Sequence, residues 1–279
     1  DKVFMRPIKK IKPIAKKNAK CLRPDDEQFD EAKFRFVDKK VRADRAAKVA
    51  HRLGPDNPPR AVCPLNAVPK PGGGEEEPFR VIGNMRELNK YFPGWRMRFE
   101  DLRHFSSIFS PTDFLFNLDL KAAYHTISAH PRLARLFGFS WDGAYWQWSC
   151  LPFGFRLSPF VFCRIVKQLV KAWRRAGLSV LSFVDDQAGG AEGFVAAVRA
   201  RNRMLRDNVW YGFSMSAKSV PLPSQRILFL GYVCNLACPS PRFHVPQPKV
   251  EALRTLAVET LESLGAEASL RSVTQEVRR

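Results

Sequence analysis

The chain has 279 residues, room for one large or two small domains, and its 45% hydrophobic content is enough for a packed core. Its 46 Lys and Arg against 27 Asp and Glu leave a net charge of +19, which calls for a polyanionic partner, nucleic acid being the commonest. No stretch of about 18 consecutive apolar residues is present, so no bilayer-spanning helix or membrane partner is expected, and the N-terminus lacks the apolar segment of a signal peptide.

Residues 1 to about 24 form a basic arm: Lys2, Arg6, Lys9, Lys10, Lys12, Lys16, Lys17 and Lys20 face the single acid Asp1. Pro7, Pro13 and Pro24 argue against a long helix, and the arm reads equally as a solubilising tail or a nucleic-acid clamp. Because the first residue is Asp1 rather than Met, the chain is expected to be a processed product, an excised piece or a gene fragment. Spaced apolar positions predict a helix within 26–53, ended by Gly54, Pro55, Pro58 and Pro59. Residues 61–69 and 79–84 read as the two sides of a β-hairpin around Pro71-Gly72-Gly73-Gly74 and three glutamates. A short helix is expected at 85–88.

An apolar strand, Phe114-Leu115-Phe116-Asn117-Leu118, runs into Asp119, and a helical turn follows over 121–125. Residues 137–140 and 145–149 flank Trp141-Asp142-Gly143-Ala144, a hairpin signal. Its aromatics Tyr145, Trp146 and Trp148 suit either a core face or base stacking. Leu151-Pro152-Phe153-Gly154-Phe155 is a tight loop. Ser158-Pro159 then opens a helix that runs to about Arg175 and is closed by Gly177. Further elements are a strand at 179–184, a helix at 191–210, a strand at 227–234 and a helix at 249–264. Strands crossed by helices indicate an α+β domain.

The strand Ser179-Val180-Leu181-Ser182-Phe183-Val184 ends in Asp185-Asp186, 66 residues beyond Asp119. Adjacent carboxylates at the tip of an apolar strand repel each other and need solvation or a cation. Hard divalent ions such as Mg²⁺ take one or two carboxylates, with water and phosphate completing the shell. Three such aspartates would suit two-metal phosphoryl transfer; solvated turn aspartates are the plainer alternative. The cysteines Cys21, Cys63, Cys150, Cys163, Cys234 and Cys238 are scattered apart from the last two, and a lone C-x₃-C is a weak zinc signal. Reduced thiols in an intracellular protein, cytoplasmic or nuclear, are expected.

In order and spacing these motifs resemble those of reverse transcriptases over roughly residues 60–250, closest to the retrotransposon branch of gypsy-type and tyrosine-recombinase (DIRS-type) elements. Asn117-Leu118-Asp119-Leu120-Lys121-Ala122-Ala123-Tyr124-His125 is similar to the first catalytic motif. Leu151-Pro152-Phe153-Gly154 with Ser158-Pro159 resembles the loop and helix beneath the template base and incoming nucleotide. Phe183-Val184-Asp185-Asp186 resembles the aromatic-x-Asp-Asp motif, Arg80 to Lys90 the fingers segment, and Phe229-Leu230-Gly231-Tyr232 the primer-grip hairpin.

The resemblance implies a right-hand polymerase palm and fingers with a partial thumb, its antiparallel palm sheet backed by helices. It implies a basic arm and helix over 1–59, fingers over 60–118 and palm over 119–235, with fingers elements interleaved at about 125–150. A partial thumb would cover 236–279. The activity implied is RNA-directed DNA synthesis, adding dNTPs to a primer 3′-hydroxyl on an RNA or DNA template. Asp119, Asp185 and Asp186 would hold two Mg²⁺ ions, with Asp119 and Asp185 the direct ligands and Mn²⁺ a substitute, and the Leu120 carbonyl would add a ligand. Lys70 and Arg80 would hold the triphosphate, where their charge offsets that of the phosphates.

Tyr124 would lie under the sugar, where its ring excludes a 2′-hydroxyl, unless it is simply a core tyrosine. Phe153 and Gly154 would pack on the incoming base pair, and Lys218 would protonate the leaving pyrophosphate. The rest of a retroelement polyprotein, with RNase H, recombinase or integrase, is the further partner implied.

Two departures stand out. Gln187-Ala188-Gly189-Gly190 follows the aspartates where apolar β-formers are usual, which predicts a loose hairpin. No acidic cluster beyond residue 218 suggests an RNase H segment, and the thumb is expected to be short. These features favour the rival reading, a decayed or domesticated element protein that binds nucleic acid without polymerising. The retained carboxylates, Tyr124 and Arg80 argue against it.

Overall fold

In the computed structural model the described residues are 30–70, 74, 78–95, 97–216, 219, 222–238 and 240–264. The basic arm, most of the glutamate-rich turn and residues 265–279 lie outside them. The chain divides into two compact units. The first takes the described part of Asp1–Phe99 with Leu120–Leu169 and Trp210–Ser214; the second takes Glu100–Asp119, Val170–Val209 and the described part of Met215–Arg279.

In the first unit, helix α1 (Glu31–Ala46) starts at Asp30, whose carboxylate accepts the Lys33 N–H at 3.0 Å, a side-chain N-cap. It ends earlier than its sequence pattern suggests. Lys48 turns into the left-handed region (φ 57°), and Ala50–Arg52 becomes a strand, β1, instead of helix. Tertiary pairing overrides helical pattern here: β1 forms the edge of a three-stranded sheet, with Ala50 opposite Trp148.

Strands β2 (Leu65–Pro69) and β3 (Phe79–Gly83) make the expected hairpin, followed by the short helix α2 (Arg86–Asn89). In the second unit, helix α3 (Phe105–Ile108) leads into β4 (Asp113–Lys121), whose last two residues pass into the first. There a turn of 3₁₀ helix (Ala123–Thr126) and α4 (Pro131–Ala134) lead to β5 (Gly138–Trp141) and β6 (Ala144–Trp148). Asp142 and Gly143, both at positive φ, form their turn. Trp146 and Trp148 are buried with Phe139, Phe155 and Val37 in one apolar core. The aromatics of this hairpin are thus core residues, with Tyr145 half-buried beside them.

The second unit is built on β7 (Ser179–Phe183), β8 (Asp186–Glu192) and β4, in a sheet of order β7-β8-β4-β9, where β9 is Ser214–Met215. Helix α6 (Phe194–Trp210) up to Val209, and helix α5 (Ser158–Arg175) from Val170 on, belong to the same unit. β8 is central and fully paired, contrary to the expectation of a loose hairpin. A Cβ on Gly189 would sit 2.3 Å from the Phe116 ring, its partner across the register, and one on Gly190 would meet Phe109 at 2.9 Å. The glycines let the Phe116 and Phe109 rings come close to the strand, so the missing side chains are replaced by packing.

Opposed residues in a sheet share a face and the faces alternate. Phe116, Gly189 and Gln187 therefore share the α6 side: Gly189 lies near Met204, and buried Gln187 exchanges amide hydrogen bonds with buried Asn208 at 2.9 and 3.4 Å. The other face, carrying Leu115, Ala188 and Leu181, joins a core with Phe105, Phe109, Ile227 and Phe229. Sequence pattern alone predicts one strand over 227–234. The chain instead reverses at Leu230 and Gly231, both at positive φ, giving the hairpin β10 (Arg226–Phe229) and β11 (Tyr232–Asn235), joined by β12 (Arg242–His244). Helix α7 (Gln247–Leu264) follows.

Candidate active site

Asp119 and Asp186 are register partners on β4 and β8, and Phe183 closes the same rung from β7. Both carboxylates therefore point to the face opposite α6, one rung past the apolar core formed by Leu115, Ala188 and Leu181. The Asp119 backbone is held on both sides: its N–H donates to the Ser219 hydroxyl at 3.1 Å, and its carbonyl accepts the Ser216 N–H at 2.7 Å.

Asp185 occupies the two-residue turn between β7 and β8 together with Val184. Val184 has φ 53°. A β-branched side chain is strained there, and such backbone persists only where neighbouring structure imposes it. All three carboxylates are half-buried rather than solvated at an open loop tip.

Oxygen donors facing each other across a rung suit a hard divalent ion. Among the described residues, no group of three or more His, Cys, Asp or Glu side chains is gathered so as to hold a metal ion, so the three aspartates do not form one ready-made ligand set. A Mg²⁺ site does not require one, since it draws on one or two carboxylates, water and phosphate. Cys234 and Cys238 belong to no such group; the Cys238 sulfur accepts from the Asn235 amide at 3.5 Å.

The first unit holds the residues read as nucleotide contacts. Tyr124 stacks obliquely on Phe153 at 5.0 Å and meets Phe162 edge-on at 5.5 Å. Phe153 itself is 39% exposed, so the pair presents an aromatic step. His125 supports it from beside Phe153 at 5.1 Å. Burial pushes the His125 imidazole down to about 4, against an upward pull from Asp44 and with a further downward push from Lys40. Gly154 has φ 90°, and a Cβ there would meet the Gly83 carbonyl oxygen at 2.7 Å, so only glycine fits. The Leu120 side chain is buried. Arg80 is exposed on β3 opposite Val68, and the Lys70 N–H donates to the Pro78 carbonyl at 2.8 Å. Lys218 lies outside the described residues.

Phe229 is a core residue rather than a surface contact, whereas Leu230 and Gly231 form the turn and Tyr232 is exposed beneath Lys249 Nζ, 5.7 Å from its ring centre. Sequence reasoning missed two features. Asn89 staples the Leu151–Phe155 loop, donating to the Gly154 carbonyl at 2.9 Å and accepting the Arg156 N–H at 2.8 Å. Trp95 stacks on Phe160 at 5.2 Å, and the Arg164 guanidinium lies over the same Phe160 ring at 5.6 Å, an aromatic–cation face with Trp95 and Arg164 exposed. Phe160 and Arg164, one helical turn apart on α5, were the available signal.

Residues 68–234 match the family model described as reverse transcriptase (RNA-dependent DNA polymerase). The chain belongs to the reverse transcriptase family. Its relatives include the Gag-Pol polyprotein of Koala retrovirus, 27% identical over 179 residues covering 61% of this chain and 10% of that protein. The Pol polyprotein of Feline endogenous virus ECE1 is 27% identical over 181 residues, 62% of this chain and 17% of the relative. The genome polyprotein of Petunia vein clearing virus is 24% identical over 152 residues, covering 54% and 7%.

This reverse transcriptase chain thus spans a small part of the polyproteins it matches. Among solved structures, the foamy viral protease–reverse transcriptase in complex with an RNA/DNA hybrid superposes with a TM-score of 0.69 at 17% identity, covering 81% of this chain and 28% of that one. A form of that protein with double-stranded DNA gives 0.67 at 19%, covering 78% and 36%. These likenesses establish the polymerase palm-and-fingers fold, an antiparallel sheet accompanied by helices. Among the described residues no helix is long and apolar enough to cross a membrane.

Proposed function

We propose that this chain is the polymerase part of a retroelement reverse transcriptase, adding dNTPs to a primer 3′-hydroxyl on an RNA or DNA template. The observation that carries the reading is the rung Asp119–Asp186, with Asp185 on the strained turn beside it. These are the donors a pair of Mg²⁺ ions would take, and Mn²⁺ would fit the same oxygen set. The Leu120 carbonyl, next in the chain to Asp119, would be a further donor.

Electrostatics and positioning supply most of the catalysis in phosphoryl transfer. Arg80 and Lys70 are assigned to the triphosphate, Tyr124 to the sugar, and Phe153 with Gly154 to the incoming base pair. Lys218 is assigned to the leaving pyrophosphate and the Phe229–Tyr232 turn to the primer. Trp95, Phe160 and Arg164 suit stacking against an unpaired base. The charge of +19 would draw primer–template phosphates, so binding should fall steeply with salt. As part of the same proposal we assign a basic arm and helix to 1–59, fingers to 60–118, palm to 119–235 with interleaved fingers elements, and thumb to 236–279. Membership of the gypsy-type or DIRS-type branch rests on the motif resemblance. The polyprotein relatives support a longer parent protein with further domains.

Primer extension on a short RNA template with dNTPs and Mg²⁺, beside an Asp185→Asn control, tests the reading. Extension by the parent alone supports it. Intact primer–template binding with no extension by either chain would favour the non-polymerising alternative.

A further inference from the structure

Among the described residues β7 is the edge strand of the second unit's sheet, paired only with β8. Backbone groups of an edge strand alternate between partner and open side, and those on the open side need other partners. On β7 they find side chains. Arg174, in the last turn of α5, donates to the Val180 carbonyl from Nε at 3.1 Å and Nη2 at 2.6 Å. The same guanidinium grips both Glu100 carboxylate oxygens at 2.8 and 2.7 Å. Glu100 Oε2 then accepts the Ser182 N–H at 3.3 Å. One donor fork and one acceptor fork thus meet the carbonyl and N–H that a neighbouring strand would otherwise take.

The place of this pair matters because β7 delivers the turn. Phe183 ends β7, Val184 adopts its strained φ, and Asp185 and Asp186 follow. β8 is fixed between two strands, while β7 has one strand and this ion pair. Burial alone would raise the Glu100 carboxyl, but Arg174 and the Ser182 N–H outweigh it and hold it below the usual range. The carboxylate therefore stays charged and available to the clamp.

We propose that Arg174 and Glu100 act as a surrogate strand on the open edge of β7, and so position the Val184-Asp185 turn and its carboxylates. They are positioning residues, since they hold the β7 backbone and act on the aspartates through it. The catalytic consequence rests on the polymerase reading; the structural one does not.

The test uses Glu100→Gln, which removes the charge, and Arg174→Lys, which keeps charge but loses the fork. Amide hydrogen exchange is followed over residues 180–186, with α6 as the internal reference. Exchange should quicken about tenfold over 180–186 in both variants and stay unchanged in α6. In primer extension the half-saturating Mg²⁺ concentration should rise and kcat fall about tenfold, with primer–template Kd unmoved. The swapped pair Glu100→Arg with Arg174→Glu restores attraction but offers Val180 O no donor fork and Ser182 N–H no acceptor, so neither readout should recover.

Recovery in the swapped pair would show an ordinary ion pair and overturn the proposal. So would unchanged exchange in both single variants, or quickening spread equally into α6. A parent chain that never extends a primer would overturn the polymerase reading instead, and exchange alone then decides the clamp.

Discussion

Asp119 on β4 stands directly across from Asp186 on β8, at the end of a register that begins with Asp113 opposite Glu192. Like charges opposed on one rung destabilise a sheet unless a cation lies between them. Asp119→Asn should therefore raise stability in EDTA by roughly 0.2–1 kcal/mol. It should also abolish both primer extension and the extra stability that Mg²⁺ with dNTP gives the parent. Thermal melts with and without the ion check this. A destabilised variant in EDTA would show that the rung is held by something other than a cation.

Val184 leads the turn at φ 53°, where glycine is at ease and a β-branched residue is not. Val184→Gly should stabilise the fold by about 1 kcal/mol, the order of one strained backbone residue. It should also lower kcat, because the freed turn no longer holds Asp185 in one orientation. Urea melts and steady-state extension measure the two effects. Unchanged stability would mean the strain is not real.

Gly189 faces Phe116 so closely that an added methyl would lie 2.3 Å from the ring. Gly189→Ala should cost roughly 1–3 kcal/mol, the usual range for overpacking a core. A double variant that also trims the ring, Phe116→Leu, should recover part of that loss. Gly143, with nothing within 4 Å of its added Cβ but φ 67°, makes a contrast: there the cost is backbone strain alone.

Most of the longer elements were legible because apolar runs broken by Gly, Pro and Asp mark them; Asp119, read as ending its strand, lies instead inside β4. What stayed hidden depends on distant partners. β1 exists only because Ala50 pairs with Trp148, and no local pattern announces that. The Gly189-Gly190 pair looked like a weak strand, since nothing in sequence says that Phe116 and Phe109 cover it. The apolar pattern read Ile227–Cys234 as one strand because Leu230 is apolar; only the resemblance of Phe229–Tyr232 to a hairpin anticipated the reversal that the left-handed φ of Leu230 makes. Around the candidate site, Asp185 and Asp186 were legible as neighbours. That Asp186, rather than Asp185, faces Asp119 follows from a register only the sheet fixes.

Tyr124 packs on Phe153 and Phe162, so its ring is held in one place rather than swinging freely. If it lies under the sugar, Tyr124→Ala should admit ribonucleotides while leaving dNTP addition largely intact. The expected sign is a fall of at least about tenfold in the dNTP-over-NTP ratio of kcat/KM, the scale of one removed clash. A ratio that stays fixed while both substrates suffer would return Tyr124 to a core role.

His125 provides a pH handle. Its imidazole is pushed down to about 4 by burial, with Asp44 opposing and Lys40 adding to the push, whereas an unfolded chain titrates near 6.5. Between those values the unfolded state binds more protons, so stability is complete above about pH 6.5 and falls as pH drops toward 4. At about 1.4 kcal/mol per pH unit the loss from pH 7 to pH 5 should be roughly 2 kcal/mol. Carboxylates such as Glu100 lose their contribution only at lower pH, because the folded protein holds that group below its usual range. Urea melts at pH 7, 6 and 5 should show the slope in the parent and a flat profile in His125→Gln. Equal slopes in both would mean that another group carries the acid sensitivity and that His125 does not sit neutral beside Phe153.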